Sequence, residues 1–103
     1  MPQVIPPTVG RKVWYRPSAF DKTGVGAMNS LNGQPLDATV LAVWGDRMVN
    51  VLVLDIIGRP FTKTSVALLQ EGDEPPKNAE GADIGGYVEW MPYQQGQAKK
   101  HPA

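Results

Sequence analysis

The stretch Asp37-Ala38-Thr39-Val40-Leu41-Ala42-Val43-Trp44, Gly45-Asp46, Arg47-Met48-Val49-Asn50-Val51-Leu52-Val53-Leu54-Asp55 sets two β-rich runs on either side of a two-residue Gly-Asp. That pattern predicts a hairpin, with a primed turn because glycine leads. A further turn at Ile56-Ile57-Gly58-Arg59 leads to a third run, Pro60–Leu69, and three hairpin-linked strands make a meander. Working outward, Arg11–Arg16 is a short β-branched and aromatic run stopped by Pro17, and Tyr87–Met91 is another stopped by Pro92. Between the first run and the meander, residues 18–36 are crowded with turn formers and predict a long loop. Residues 1–10 read as an extended Pro-rich arm, 11–93 as the folded domain and 94–103 as a flexible tail. The fold class expected is all-β, a small SH3-like five-stranded barrel with a long first loop. An OB-fold would need longer strands and a helix before the last one.

Composition narrows the chemistry. The chain has 103 residues, one domain's worth, with no cysteine, one histidine and ten basic against ten acidic side chains. Without cysteine there are no disulfides, thiol nucleophiles, Cys-zinc sites or Fe–S clusters. His101 sits alone near the C-terminus, so a multi-histidine metal site is excluded. No acid pair or nucleophile with a base stands out: Asp73 and Glu74 fall in a Pro-broken acidic loop, and Gly24-Val25-Gly26 lacks the spacing of a phosphate loop. The reading is non-catalytic, with no cofactor. No apolar run reaches the length of a membrane span and the N-terminus lacks a signal-peptide pattern, so no membrane partner is expected.

The strands of the meander are apolar on both sides. Val49, Val51 and Val53 alternate with Met48, Asn50, Leu52 and Leu54, and Val40, Ala42 and Trp44 with Leu41 and Val43. A single barrel has one inside, so the second face needs a cover: the 18–36 loop and the arm, or another copy of the chain in a homo-oligomer. The second is favoured because exposed patches of that size are uncommon.

Candidate binding residues follow from side-chain chemistry. Trp14, Trp44, Trp90, Tyr15, Tyr87 and Tyr93 are brought together by a small barrel; most serve as core, and Trp90 and Tyr93, flanked by polar residues, are the most available. Arg47 has a fork suited to carboxylate or phosphate, although pairing with Asp46 or stacking on Trp44 is the simpler role. Asn50 interrupts an apolar strand and must find partners. Thr62, Lys63, Thr64 and Ser65 offer hydroxyls and an ammonium to phosphate or sugar oxygens. The set Trp44, Arg47, Asn50, Thr62, Lys63, Thr64, Ser65, Trp90 and Tyr93 is the expected ligand site. Nucleic acid is a less favoured partner: Arg11, Lys12 and Arg16 form a local basic cluster, but residues 71–89 carry six acids and one lysine.

Two groups of residues also carry a resemblance. Trp44-Gly45-Asp46-Arg47-Met48-Val49-Asn50, Thr64-Ser65-Val66 and Gln70-Glu71-Gly72-Asp73 form one; Gly86-Tyr87, Glu89-Trp90-Met91-Pro92-Tyr93-Gln94 and Gly96-Gln97-Ala98 form the other. Together, over roughly residues 37–98, the chain resembles a family of small, largely uncharacterised proteins encoded by tailed phages and prophages. The 18–35 loop and the 76–84 insertion are longer than that family's pattern. The resemblance implies no catalytic residues; it implies a phage accessory protein in the bacterial host cytoplasm. Joined to the side-chain inventory, it leads to the expectation of an oligomeric binder that sequesters a nucleotide-like host-defence signal. A nucleic-acid- or protein-binding module and a structural virion part are the alternatives.

Overall fold

A computed structural model describes residues 3–100; His101 lies outside the described residues. Five strands close into a barrel in the order β1 (Lys12–Arg16), β2 (Leu36–Gly45), β3 (Met48–Leu54), β4 (Pro60–Leu69) and β5 (Tyr87–Glu89), followed by a helix, α1 (Pro92–Lys100). The fold is the expected small all-β barrel of SH3-like type. All neighbours pair antiparallel except β4 and β5, where Leu68 faces Val88 and Leu69 faces Glu89 in parallel. A short 3-10 turn, Phe20–Lys22, interrupts the long first loop. Among the described residues no helix is long and apolar enough to cross a membrane.

Alternation builds the core. Val49, Val51 and Val53 are fully buried, joined by Val13, Ala38, Val40, Leu68, Val88 and Trp90. Full burial of each large side chain contributes about 1.5–3 kcal/mol. The arm supplies Ile5 and the long loop supplies Met28, so both expected covers reach the core cluster. The outward side of the meander stays open, with Thr39, Ala42 and Trp44 on β2, Met48, Asn50, Leu52 and Leu54 on β3, and Thr62, Thr64 and Ala67 on β4. Asp37, opposite Leu54, lies on the same side and is ionisable; it pairs with Lys12 at 3.1 Å.

Three local expectations are corrected. Gly45 belongs to β2, paired with Met48, so the two-residue loop is Asp46-Arg47. Neither has a positive φ, hence the turn is not primed; register shifts at Val40/Ala42 and Val43/Gly45 show bulges, which supply the strand twist instead. Those bulges also reset the phase of β2: Val40 faces inward Val51 while Ala42 faces outward Asn50, so Val40 and Ala42 do not share a side. Lastly, residues 94–100 of the expected flexible tail belong to the helix Pro92–Lys100. Its ends are tied down: Met91 N–H donates to Gln94 Oε1 at 2.8 Å, Gln3 Nε2 donates to the Ala98 carbonyl at 3.2 Å, and Lys99 pairs with Glu71 at 2.6 Å. Pro92 at the first helical position and two lysines in the last turn suit the helix ends.

Candidate functional site

The expected ligand residues divide among five places. One group meets on the outer sheet face. Asn50 Oδ1 accepts the Trp44 indole N–H at 2.9 Å and the Ser65 backbone N–H at 2.8 Å. Ser65 has φ 53°, a left-handed value rare outside glycine, at the point where Thr64 and Ser65 together oppose Asn50. Asn50 thus stabilises the bulge and holds Trp44 in place, although the Trp44 ring remains 66% exposed. Thr62 and Thr64 line the same face and are exposed.

The two cations are occupied elsewhere. Arg47 Nε and Nη2 donate to the Asp73 carboxylate at 2.9 and 3.3 Å, rather than to Asp46. That paired hydrogen bond, with the charge of Asp73 behind it, raises the Arg47 pKa and lowers that of Asp73. Lys63 Nζ lies 2.6 Å from Oδ1 of Asp21, whose side chain is only 3% exposed. Asp21 also accepts the Tyr15 hydroxyl, and it exchanges two hydrogen bonds with Ser18, from Ser18 N–H at 2.9 Å and to Ser18 Oγ at 3.1 Å. Burial alone would raise the Asp21 pKa, but bonds from Lys63, Tyr15 and Ser18 outweigh it and hold the carboxyl below its usual range. Burial and the same carboxylate push the Tyr15 hydroxyl far up.

Trp90 is not available. It is 2% exposed in the core, its N–H donates to Gln70 Oε1 at 3.2 Å, and the Arg11 guanidinium lies 5.2 Å from its ring centroid. The polar residues flanking Trp90 gave no sign of this cover, because Arg11 comes from the other end of the chain. Tyr93, on the first turn of α1, is 73% exposed and stands apart from the other candidates. The basic cluster on β1 is largely neutralised as well: Lys12 pairs with Asp37 at 3.1 Å and Arg16 with Glu89 at 2.6 Å.

One concavity is lined by none of those nine residues. A groove of about 580 Å³ runs between the long first loop and the 78–85 segment, beside the end of β1. Arg16 and Lys22 contribute cationic side chains, Asn32, Gln34 and Asn78 amides, and Leu31 and Ile84 apolar surface. Its walls are fixed from below. Asp55, 5% exposed, accepts the Asn29 backbone N–H at 3.1 Å and side-chain amide at 3.0 Å, and also caps its own turn through Ile57 and Arg59 N–H. Desolvation opposes the charge, yet these four donors win and bring the Asp55 pKa down to about 2. On the opposite wall the buried Tyr87 hydroxyl donates to Asp83 at 2.8 Å. Gly85 has φ +70°, and a β-carbon there would lie 2.3 Å from the Pro17 carbonyl oxygen.

Sequence reasoning missed Asp21, Asp55 and Gln70. Ser18-x-x-Asp21 is a capping-box-like spacing and could have marked the first. Gln70 continues the inward alternation of Val66 and Leu68, and it is 3% exposed. Its amide makes four bonds: Oε1 accepts from Ile5 N–H and Trp90, and Nε2 donates to the carbonyls of Ile5 and Asp46 at 3.0 and 2.7 Å. No family model, no curated protein and no solved structure matches the chain.

Proposed function

We propose that the protein is a non-catalytic phage accessory protein that holds a small, anionic, nucleotide-like ligand in the groove between the long first loop and residues 78–85. The observation that supports this is the groove itself. Its volume of about 580 Å³ is in the range of small-molecule sites, and it combines cations, amides and apolar surface in one concavity. Lys22, which forms no ion pair among the described residues, suits a phosphate, whereas Arg16 is already held by Glu89 and Asp83 adds one acid to the lining; Asn32, Gln34 and Asn78 suit the edges of a base or the hydroxyls of a sugar, and Leu31 with Ile84 suit a flat ring. This moves the ligand from the expected residues, whose cations are committed to Asp73 and Asp21, to the groove. The groove is formed within one chain, so binding needs no second subunit. In the bacterial cytoplasm that the phage resemblance implies, the ligand would be a nucleotide-derived defence signal, sequestered rather than turned over.

Titration with a panel of cyclic and linear nucleotides, read by calorimetry and by melting temperature, tests the reading. Binding heat and a raised melting temperature are expected, with affinity reduced about tenfold or more in Lys22→Glu, which reverses one exposed charge. A flat titration across the panel overturns it. Strongly salt-dependent binding to DNA or RNA instead would favour the nucleic-acid alternative.

A further inference from the structure

The 78–85 wall of the groove carries two polar side chains whose hydrogen-bonding sense is already fixed. Residues 77–83 form one small turn, closed by a bridge between Lys77 and Asp83 and by the Asn78 N–H, which donates to the Ala82 carbonyl at 3.0 Å. Asn78 Oδ1 accepts the Glu80 and Ala82 backbone N–H groups, each at 3.0 Å, so its side chain has the amide Nδ2 left to offer, a donor. Asp83 has the opposite sense. Gly85 N–H holds its Oδ1 and the Tyr87 hydroxyl its Oδ2, both at 2.8 Å, which fixes the carboxylate and leaves one acceptor position on each oxygen. Among the described residues no cation pairs with Asp83. Ile84, next in the chain, is 46% exposed and supplies apolar surface to the same wall.

We infer that Asn78 and Asp83 make the groove selective for guanine, so that its ligand is a guanine nucleotide; this rests on the groove reading above. A base lying on Ile84 has these two side chains as the polar groups of the same wall. The pairing edge of guanine presents one acceptor, O6, followed by two adjacent donors, N1–H and the N2 amine. The two donors match the two open positions of the Asp83 carboxylate, and O6 matches the Asn78 amide. Paired N–H donors on one carboxylate are strong and geometrically specific. Adenine offers the reverse: its bare N1 would face the carboxylate, and its amino group would face the donating amide. Uracil has a single N–H to give, and the N3 and O2 of cytosine only accept. Polar groups left unmatched are what make such a site reject the wrong partner. Charge agrees with this placement. The unpaired acid repels phosphate, so the phosphate lies at Lys22 on the opposite wall and the base lies at Asp83.

Titration of the full chain with GMP, dGMP, inosine monophosphate and AMP tests this. GMP is expected to bind at least about tenfold more tightly than AMP, the scale of one good base contact, and dGMP to match GMP. Inosine monophosphate, which lacks the N2 amine, should fall between GMP and AMP. Asp83→Asn should weaken GMP binding about tenfold. The double variant Asn78→Asp with Asp83→Asn should reverse the preference toward AMP. The introduced carboxylate keeps both turn N–H bonds and accepts the adenine amino group, while the introduced amide, its oxygen held by Gly85 N–H, donates to adenine N1. A purely structural role for these residues would lower all affinities alike and leave the ratio unchanged. Equal binding of GMP and AMP overturns the inference while the groove reading stands. So does a pattern in which only dGMP is weakened, which would place the ribose hydroxyls on Asp83, and so does a double variant with the wild-type preference. Binding of none of the four overturns the groove reading and this inference together.

Discussion

Lys63 Nζ lies 2.6 Å from Asp21 Oδ1 and ties the middle of β4 to the start of the long first loop, across 42 positions of chain. With the Tyr15 hydroxyl and the Ser18 N–H on the same carboxylate, the loop is latched to the barrel at a nearly buried charge. Lys63→Met removes the cation and leaves the carboxylate buried, which should cost about 3 kcal/mol. Asp21→Asn should cost about 2–4 kcal/mol, because Lys63 loses its anion and Asn cannot accept from every donor on Oδ1 and Oδ2. Urea unfolding of both variants, compared with the wild type, checks this; midpoints unchanged in both would contradict it.

Acid should loosen the same loop. Asp21 and Asp55 both have folded pKa values below those of the unfolded chain, Asp55 at about 2. Their contribution to stability is therefore complete above the unfolded carboxylate value of about 3.9 and is lost as pH falls through the folded values. Melting temperature should be flat near neutrality and fall between about pH 4 and 2. Asp55→Asn should flatten part of that fall, since the group that titrates is gone. Protection of the Met28 and Asn29 amides against exchange, relative to the intrinsic rate at each pH, should fall in acid, because Met28 N–H bonds the Asp21 carbonyl and Asn29 N–H the Asp55 carboxylate.

Gln70 joins the arm, the hairpin tip and Trp90 through one buried amide. Gln70→Leu keeps the bulk but strands the Ile5 N–H and carbonyl and the Trp90 N–H. Each unsatisfied buried group costs about 1–3 kcal/mol, so the variant should lose about 3 kcal/mol or more. The arm should then detach, which limited proteolysis near Ile5 would detect. A variant as stable and as protease-resistant as the wild type would show that water replaces the amide without loss.

Gly85→Ala tests how tightly the groove wall is built. The new methyl would have to displace the Pro17 backbone while Gly85 keeps a positive φ. Strain of about 1–3 kcal/mol is expected, with a lower melting temperature and weaker nucleotide affinity. Gly86→Ala is a useful comparison: its β-carbon would meet only the Ser18 side chain at 3.8 Å, so it carries the dihedral strain without the clash.

What could be read from the residues was what local pattern controls. Pro60–Leu69 is a strand over that same span, and Val49, Val51 and Val53 face inward as alternation requires. The phase of β2 was lost at Val40 because a bulge leaves no mark in a run of aliphatic residues. The helix at Pro92–Lys100 was missed for the opposite reason: it has no apolar stripe and is held by end contacts with Gln3, Glu71 and Lys12. For the site, residue type was a poor guide to availability. Arg47 and Lys63 look like free cations until Asp73 and Asp21, distant in sequence, come beside them. Asn50 is the instructive success: a polar residue among valines and leucines needed partners, and it has two.

The parallel pairing of β4 with the three-residue β5 has a kinetic consequence. The β2–β3–β4 meander is made of near-neighbour hairpins, the kind of contact that forms within microseconds. Shutting the barrel instead requires the last strand to slot between the first and the fourth, with Trp14 against Glu89 and Leu68 against Val88. Loop closure on that scale is slow. A ribosome would have to release residue 89 before the inward valines of the meander could be sealed. Until then the nascent sheet presents them to its surroundings, so yield in a cell should depend on synthesis rate and chaperone supply more than equilibrium stability suggests.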